Sequence, residues 1–139
     1  MTATAPPVET RGELPLGDER DVVLGRQFVR RLAQAQGFSL VDQTKIVTAA
    51  SELARNAVIY GGGGRMRWER VADGARLGLR LAFEDAGPGI VDLGLAMTDG
   101  WTSGHGLGMG LSGARRLVNE FDIQSTPGVG TRVTIARWR

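Results

Sequence analysis

Clustered glycines constrain this chain more than any other feature of its sequence. Glycine makes up 21 of the 139 residues, about twice the usual ~7%. Four glycines stand together at 61–64, and nine fall between residues 87 and 113. Such segments add little to a hydrophobic core, and glycine loses more conformational entropy on folding than any other residue. The clusters therefore indicate either a mobile loop or main chain that must approach a ligand closely.

The remaining composition is typical of one globular domain, with 42% hydrophobic and 23% charged residues. The 17 basic and 15 acidic side chains leave a net charge of +2, which is too small to indicate nucleic-acid binding. The absence of cysteine and the single histidine exclude a disulfide framework and a zinc site of soft ligands. Without a signal peptide or an apolar run of about 20 residues, we expect a cytoplasmic protein that binds neither nucleic acid nor membrane.

Hydrophobic periodicity predicts a single α+β domain over residues 10–139, after a disordered tail at 1–9. Pro15 places the first strand at the edge of the sheet. The predicted elements are strands at 11–16, 66–71, 77–83, 123–125 and 131–136 and helices at 18–36, 40–60 and 111–121. This order is typical of a two-layer sandwich, in which helices cover one face of a mixed sheet.

Glu52 and Asn56 lie four residues apart in the second predicted helix, and therefore on one face of it. Both border the apolar stripe, where a helix can face a cleft. An amide oxygen suits Mg²⁺, and a nearby carboxylate can act as a base. Because so short a pattern often occurs by chance, by itself it more often marks a solvated glutamate and an asparagine inside a helix.

Asp85 directly follows a predicted strand and opens the sequence Asp-Ala-Gly-Pro-Gly-Ile. A carboxylate at a strand end can accept a hydrogen bond from an exocyclic amine, which adenine carries where guanine has a carbonyl oxygen. Gly87 and Gly89 would leave room for a flat ligand beside the backbone. A tight turn without any ligand is the alternative interpretation.

Glycines alternate with other residues from 104 to 110 and lead directly into the last predicted helix. Successive backbone amides can wrap an anion, and the helix N-terminus adds a positive dipole end. The segment matches neither a Walker motif nor a Rossmann fingerprint. A flexible linker is the alternative, but linkers seldom interleave apolar residues as regularly as Leu107, Met109 and Leu111 do. We therefore predict phosphate binding.

These motifs, followed by Gly-Val-Gly-Thr at 128–131 before the final strand, occur in an order that resembles the Bergerat-fold (GHKL) ATP-binding proteins. That superfamily includes gyrase-type ATPases, histidine kinases and small anti-sigma serine kinases. Within it, the sequence is most similar to the RsbT family of stressosome serine/threonine kinases. The segments that carry this similarity are 37–43, 51–56, 84–90, 99–103 and 119–123. The chain departs from the family at Ala86 and in its longer glycine run at 61–64, neither of which has an assigned role.

The resemblance implies roles for the candidate residues and a glycine-rich ATP lid over the site. Asn56 would hold Mg²⁺ between the phosphates, Glu52 would accept the proton of the attacking serine, and Asp85 would bind the adenine amine. The other implied nucleotide-binding residues are Gly87, Gly89, Ile90 and Thr131 near the base and Gly106, Leu107, Gly108, Met109, Gly110 and Leu111 near the phosphates.

The resemblance also implies an activity and its partners. The protein would phosphorylate a serine on an RsbS-like STAS-domain antagonist, and on RsbR-like paralogues, within a stressosome. It would then bind and activate an RsbU-like phosphatase. The alternatives are an RsbW-type anti-sigma factor kinase and a non-catalytic, ATP-gated binding module.

Overall fold

A computed structural model of the chain describes residues 10–98 and 110–139. The expected tail at 1–9, the segment 99–103 and the predicted phosphate-binding residues Gly106 to Met109 lie outside that range. The elements in chain order are β1 (Arg11–Leu16), α1 (Glu19–Ala35), α2 (Leu40–Ile59), β2 (Gly64–Asp73), β3 (Arg76–Asp85), α3 (Leu93–Ala96), α4 (Gly110–Arg116), β4 (Glu120–Thr126) and β5 (Gly130–Trp138).

Both long helices begin at side chains that accept hydrogen bonds from otherwise unpaired amides. The Asp18 carboxylate accepts from the Asp21 amide at 3.2 Å, and the Ser39 hydroxyl accepts from the Asp42 amide at 3.1 Å. Between the helices, Gly37 has a φ of +80°, a conformation that glycine adopts easily where a helix ends. The predicted boundaries of α1 and α2 are therefore confirmed to within one residue.

The five strands form one sheet in the order β1-β2-β3-β5-β4, and every neighbouring pair is antiparallel. The expectation of a mixed sheet was wrong. Strands β3 and β4 do run in the same direction, but β5 folds back from β4 through a tight turn and inserts between them. The edge position predicted for β1 is confirmed.

The helices pack on one face of the sheet, and the hydrophobic core lies between the two layers. Its largest fully buried side chains are Leu16, Ile46, Leu53, Met66, Leu79, Leu81, Ile135, Val22 and Val29. Leu79, Leu81 and Phe83 of β3 face this core, as the alternation of apolar residues along the predicted strand at 77–83 indicates. The two-layer α+β architecture is confirmed.

The last helix is shorter than its apolar spacing predicted, because α4 ends at Arg116 and Phe121 lies in β4. The Asn119 amide donates to the Ala136 carbonyl at 2.9 Å, and the Asn119 side chain accepts from the Trp138 amide at 2.7 Å. These bonds tie the chain to β5 before a longer helix can form. Phe121 and Ile123 both lie on the core side of β4, and the residues between and around them are exposed.

Within the described ranges, no helix is both long and apolar enough to cross a lipid bilayer. The cytoplasmic location stays a prediction.

Candidate functional site

A cavity of about 260 Å³ opens between α2 and the sheet, where β3 ends and β5 begins. The wall combines one face of α2, the ends of the two strands, the loop after β3 and the start of α4. Its lining residues are Leu53, Asn56, Ala57, Tyr60, Gly61, Phe83, Asp85, Pro88, Gly89, Ile90, Leu111, Thr131 and Val133. Most of these side chains are apolar, and a few polar groups converge among them, as in many small-molecule sites.

Asp85 is the last residue of β3, and a turn fixes its carboxylate at the cavity. Its Oδ1 accepts a hydrogen bond from the Gly87 amide at 2.9 Å. Gly61, at the C-terminal end of α2, packs against the same side chain so closely that an added Cβ would lie 2.3 Å from the Asp85 Cγ. A side chain at position 61 would therefore displace this carboxylate.

Two glycines allow the loop after β3 to lie directly against the β4–β5 turn. Gly89 has a φ of +77°, and a Cβ there would lie 2.5 Å from the Thr126 carbonyl oxygen. Gly130 has a φ of +149°, and a Cβ there would lie 2.1 Å from the Asp85 carbonyl oxygen. The Gly128 amide donates to the Pro88 carbonyl at 2.8 Å, so main chain forms this part of the wall.

Ser125 connects the same loop to the sheet from behind the cavity wall. Its hydroxyl accepts a hydrogen bond from the Ile90 amide at 2.7 Å and lies 2.8 Å from the Thr131 hydroxyl. No motif in the sequence points to Ser125. Its spacing from Phe121 and Ile123 on the core side of β4 was the signal that could have placed it near Thr131.

Glu52 lies beside the cavity rather than on its wall, and only 6% of its surface is exposed. Its Oε1 accepts a hydrogen bond from the Gly110 amide at 3.1 Å, at the first residue of α4. Its Oε2 lies 3.7 Å from the guanidinium group of Arg55. The carboxylate therefore links α2 to the start of α4.

On the opposite face of the sheet, three arginines surround Glu84, the residue before Asp85. Burial raises the pKa of Glu84, but hydrogen bonds from Arg65 and Arg67, each 2.9 Å long, outweigh that effect and hold the pKa below 4.5. Arg132 of β5 lies 3.5 Å from the same carboxylate. The ionised side chain thus ties β2, β3 and β5 together behind the site.

The structure brings six of the predicted residues together around the cavity: Asn56, Asp85, Gly89, Ile90, Leu111 and Thr131. Gly87 supports Asp85 through its amide, and Gly110 contacts Glu52. Sequence reasoning missed Gly61 and Ser125. It also missed the apolar wall, although Leu53, Ala57 and Tyr60 recur with Asn56 at helical spacing.

Residues 41–139 match the model of the histidine kinase-, DNA gyrase B- and HSP90-like ATPases. The chain belongs to this ATPase family. All the candidate residues lie within the matched segment, including Glu52 and the whole wall of the cavity.

A curated relative narrows the position of the chain within the ATPase family. It is 46% identical over 120 residues to the serine/threonine-protein kinase RsbT of Bacillus subtilis (strain 168), and the match covers 86% of this chain and 90% of that one. This ATPase-family chain is therefore an RsbT-like serine/threonine-protein kinase, which confirms the expected enzyme class.

A solved structure of the RsbU and RsbW domains of a Mycobacterium tuberculosis protein has the same fold, with a TM-score of 0.62 and 20% sequence identity. The match covers 94% of this chain but only 33% of that longer one, so this chain spans about a third of its length. At this identity the likeness supports the fold alone.

Proposed function

We propose that the protein transfers the γ-phosphate of ATP to a serine of an RsbS-like STAS-domain protein. The observation that carries this proposal is the cavity in which Asp85 and Thr131, paired across β3 and β5, face Asn56 of α2. The strand side of the cavity offers hydrogen-bond acceptors for the nucleotide base. The helix side offers an amide oxygen for a metal–phosphate group. The family membership and the similarity to RsbT support the same activity.

In this proposal, Asp85 recognises the purine base through a hydrogen bond. The Gly87 amide occupies its Oδ1, so Oδ2 accepts a hydrogen bond from the exocyclic amine of adenine. Phe83, Ile90 and Val133 supply apolar wall, and Gly89 leaves room beside the ring. Guanine would place a carbonyl oxygen against the carboxylate, and a site built around such a hydrogen bond can reject the wrong ligand by a factor of about 10⁴ or more.

The polar groups at the other end of the cavity fit a magnesium–phosphate group. The described residues contain no group of three or more His, Asp or Glu side chains that could hold a metal by itself. Asn56 would therefore hold Mg²⁺ as one ligand among phosphate oxygens and waters, as this ion prefers. The ion would neutralise charge on the phosphates, while Gly106, Leu107, Gly108, Met109 and Leu111 would donate backbone amides to them. The Gly110 amide donates to Glu52 instead.

Glu52 is the proposed general base. The serine hydroxyl oxygen attacks the γ-phosphorus, the bond from that phosphorus to the bridging oxygen breaks, and the hydroxyl proton passes to the Glu52 carboxylate. Phosphoryl transfer depends mainly on positioning and charge neutralisation. The hydrogen bond from the Gly110 amide supports this role because it fixes the orientation of the carboxylate.

The proposed partners follow from the similarity to RsbT. The substrates are an RsbS-like STAS protein and its RsbR-like paralogues in a stressosome, and the released kinase activates an RsbU-like phosphatase. An RsbW-type anti-sigma kinase is the alternative, and the fold shared with a chain that carries an RsbW domain does not separate the two activities. If the protein binds a sigma factor and does not bind a STAS protein, that result would favour the RsbW-type candidate.

The test is phosphate transfer from γ-labelled ATP, with Mg²⁺, to a recombinant STAS protein. We expect label on the STAS protein with the wild-type kinase and a loss of about 100-fold or more with Glu52→Gln, while ATP affinity stays within about twofold. Glu120→Gln is the matched control, because Glu120 is an exposed residue of β4, and it should leave transfer unchanged. Transfer at the wild-type rate by Glu52→Gln would refute the base assignment, and no transfer by the wild type would refute the kinase proposal.

A further inference from the structure

Ser125 makes three polar contacts just behind the cavity, and two of them involve residues of its wall. Its hydroxyl accepts from the Ile90 amide at 2.7 Å, donates to the Gly130 carbonyl at 3.3 Å and lies 2.8 Å from the Thr131 hydroxyl. Ser125 and Thr131 are register partners in the β4–β5 hairpin. The serine thus links β4, β5 and the loop after β3 at one point.

A count of protons fixes the direction of the third contact. A serine hydroxyl has one proton to donate and two lone pairs to accept with. The Ile90 amide can only donate, and the Gly130 carbonyl can only accept. All three contacts are satisfied together only if the Thr131 hydroxyl donates to Ser125.

That direction decides what Thr131 presents to the cavity. With its proton directed at Ser125, Thr131 keeps only lone pairs for a ligand. Asp85, its register partner in β3, also presents an acceptor there. Two acceptors suit an exocyclic amine, or a water bound to one, and they repel a carbonyl oxygen at the same place.

We infer that Ser125 is a positioning residue that sets the preference of this site for adenine over guanine nucleotides. The inference rests on the proposed ATP site. Ser125 acts through two neighbours: it keeps Thr131 an acceptor, and it holds the Ile90 amide so that the loop after β3 keeps its place against the base. The side chain itself lies outside the cavity wall.

The test compares Ser125→Ala with the wild type in calorimetric titrations of ATP and in competition by GTP. We expect Ser125→Ala to bind ATP about tenfold more weakly, because the part-buried Ile90 amide loses its partner. GTP should weaken less, because Thr131 can then donate a proton, so the ratio of ATP to GTP affinity should fall. The transfer rate at saturating ATP should stay within about twofold.

Two further variants separate positioning from a general loss of stability. Ser125→Cys keeps the size of the side chain but is a weak hydrogen-bonding group, so it should resemble Ser125→Ala. Thr134→Ala removes a hydroxyl from β5 at a position outside the lining of this cavity and should leave both affinities unchanged. Amide hydrogen exchange in residues 86–92 should accelerate in the two Ser125 variants and not in Thr134→Ala.

The outcomes distinguish this inference from the proposed function. If the wild type binds no ATP, the proposed function itself fails. A second outcome would refute only the positioning role of Ser125. In that outcome the wild type binds ATP, but Ser125→Ala and Ser125→Cys keep the wild-type ratio of ATP to GTP affinity, even if both variants unfold at a lower temperature.

Discussion

At the residue scale, Asp42 gives the clearest link between a single side chain and stability. It lies in the first turn of α2, and its carboxylate accepts a hydrogen bond from Arg137 of β5. That hydrogen bond is the main reason why the pKa of Asp42 lies below 3.8 in the folded protein. The contact joins the start of α2 to the C-terminal strand, far from the cavity.

The lowered pKa predicts how stability depends on pH. A carboxyl group with a depressed folded-state pKa stabilises the fold fully above its unfolded-state pKa, near 3.8, and loses that contribution as the pH falls through the folded-state value. Asp42→Asn should therefore lower the free energy of unfolding at pH 7, and its difference from the wild type should shrink below a pH of about 4. Urea unfolding at a series of pH values measures this. Asp122→Asn, on the exposed side of β4, is the control, and a difference for Asp42→Asn that does not change with pH would contradict the assignment.

At the element scale, the contact between the end of α2 and the end of β3 sets the shape of the site. The structure gives the glycine run at 61–64 a function in packing. A Cβ at Gly61 would lie 2.3 Å from the Asp85 Cγ, and one at Gly64 would lie 1.8 Å from the Glu84 carbonyl oxygen. Gly61 lets the helix end lie directly against the strand that carries Asp85, and Gly64 lets the start of β2 approach the same strand.

Gly61→Ala should therefore weaken ATP binding by at least about tenfold, because the methyl group forces the Asp85 carboxylate away from the base. The φ of Gly61 is not positive, so the backbone itself accepts alanine. Gly62→Ala is the matched control: Gly62 has a φ of +73° with open space around its Cβ. It should lose about 1–2 kcal/mol of stability and keep its ATP affinity within about twofold. Calorimetry and thermal unfolding measure both, and equal ATP affinity in Gly61→Ala and the wild type would count against this packing role.

At the scale of the whole molecule, local signals predicted the elements better than their arrangement. The helix starts near Asp18 and after Ser39 and the strand at 77–83 follow from short stretches of sequence, and the structure confirms them. The end of α4 was missed because the bonds of Asn119 to β5 decide it. The antiparallel sheet was missed because the insertion of β5 between β3 and β4 is a long-range event.

In the candidate site, too, residues within local motifs were easier to predict than residues placed by long-range packing. Asp85 and Thr131 could be predicted from their motifs, and the structure pairs them across β3 and β5. Ser125 and Gly61 could not, because their roles depend on hairpin register and on the packing of a helix end against a strand. The residue roles carried over from the family stay predictions.

The proposed activity depends on the Asp85 carboxylate, which would bind the adenine base of ATP in this cavity. Calorimetric titration of ATP with Mg²⁺ into the wild type and Asp85→Asn tests it most directly, since asparagine keeps the size of the side chain but loses its charge. We expect saturable binding by the wild type and affinity about tenfold lower in Asp85→Asn, because a hydrogen bond to a charged acceptor is roughly twice as strong as one to a neutral acceptor. Equal affinity in the two proteins, or no binding by the wild type, would contradict it.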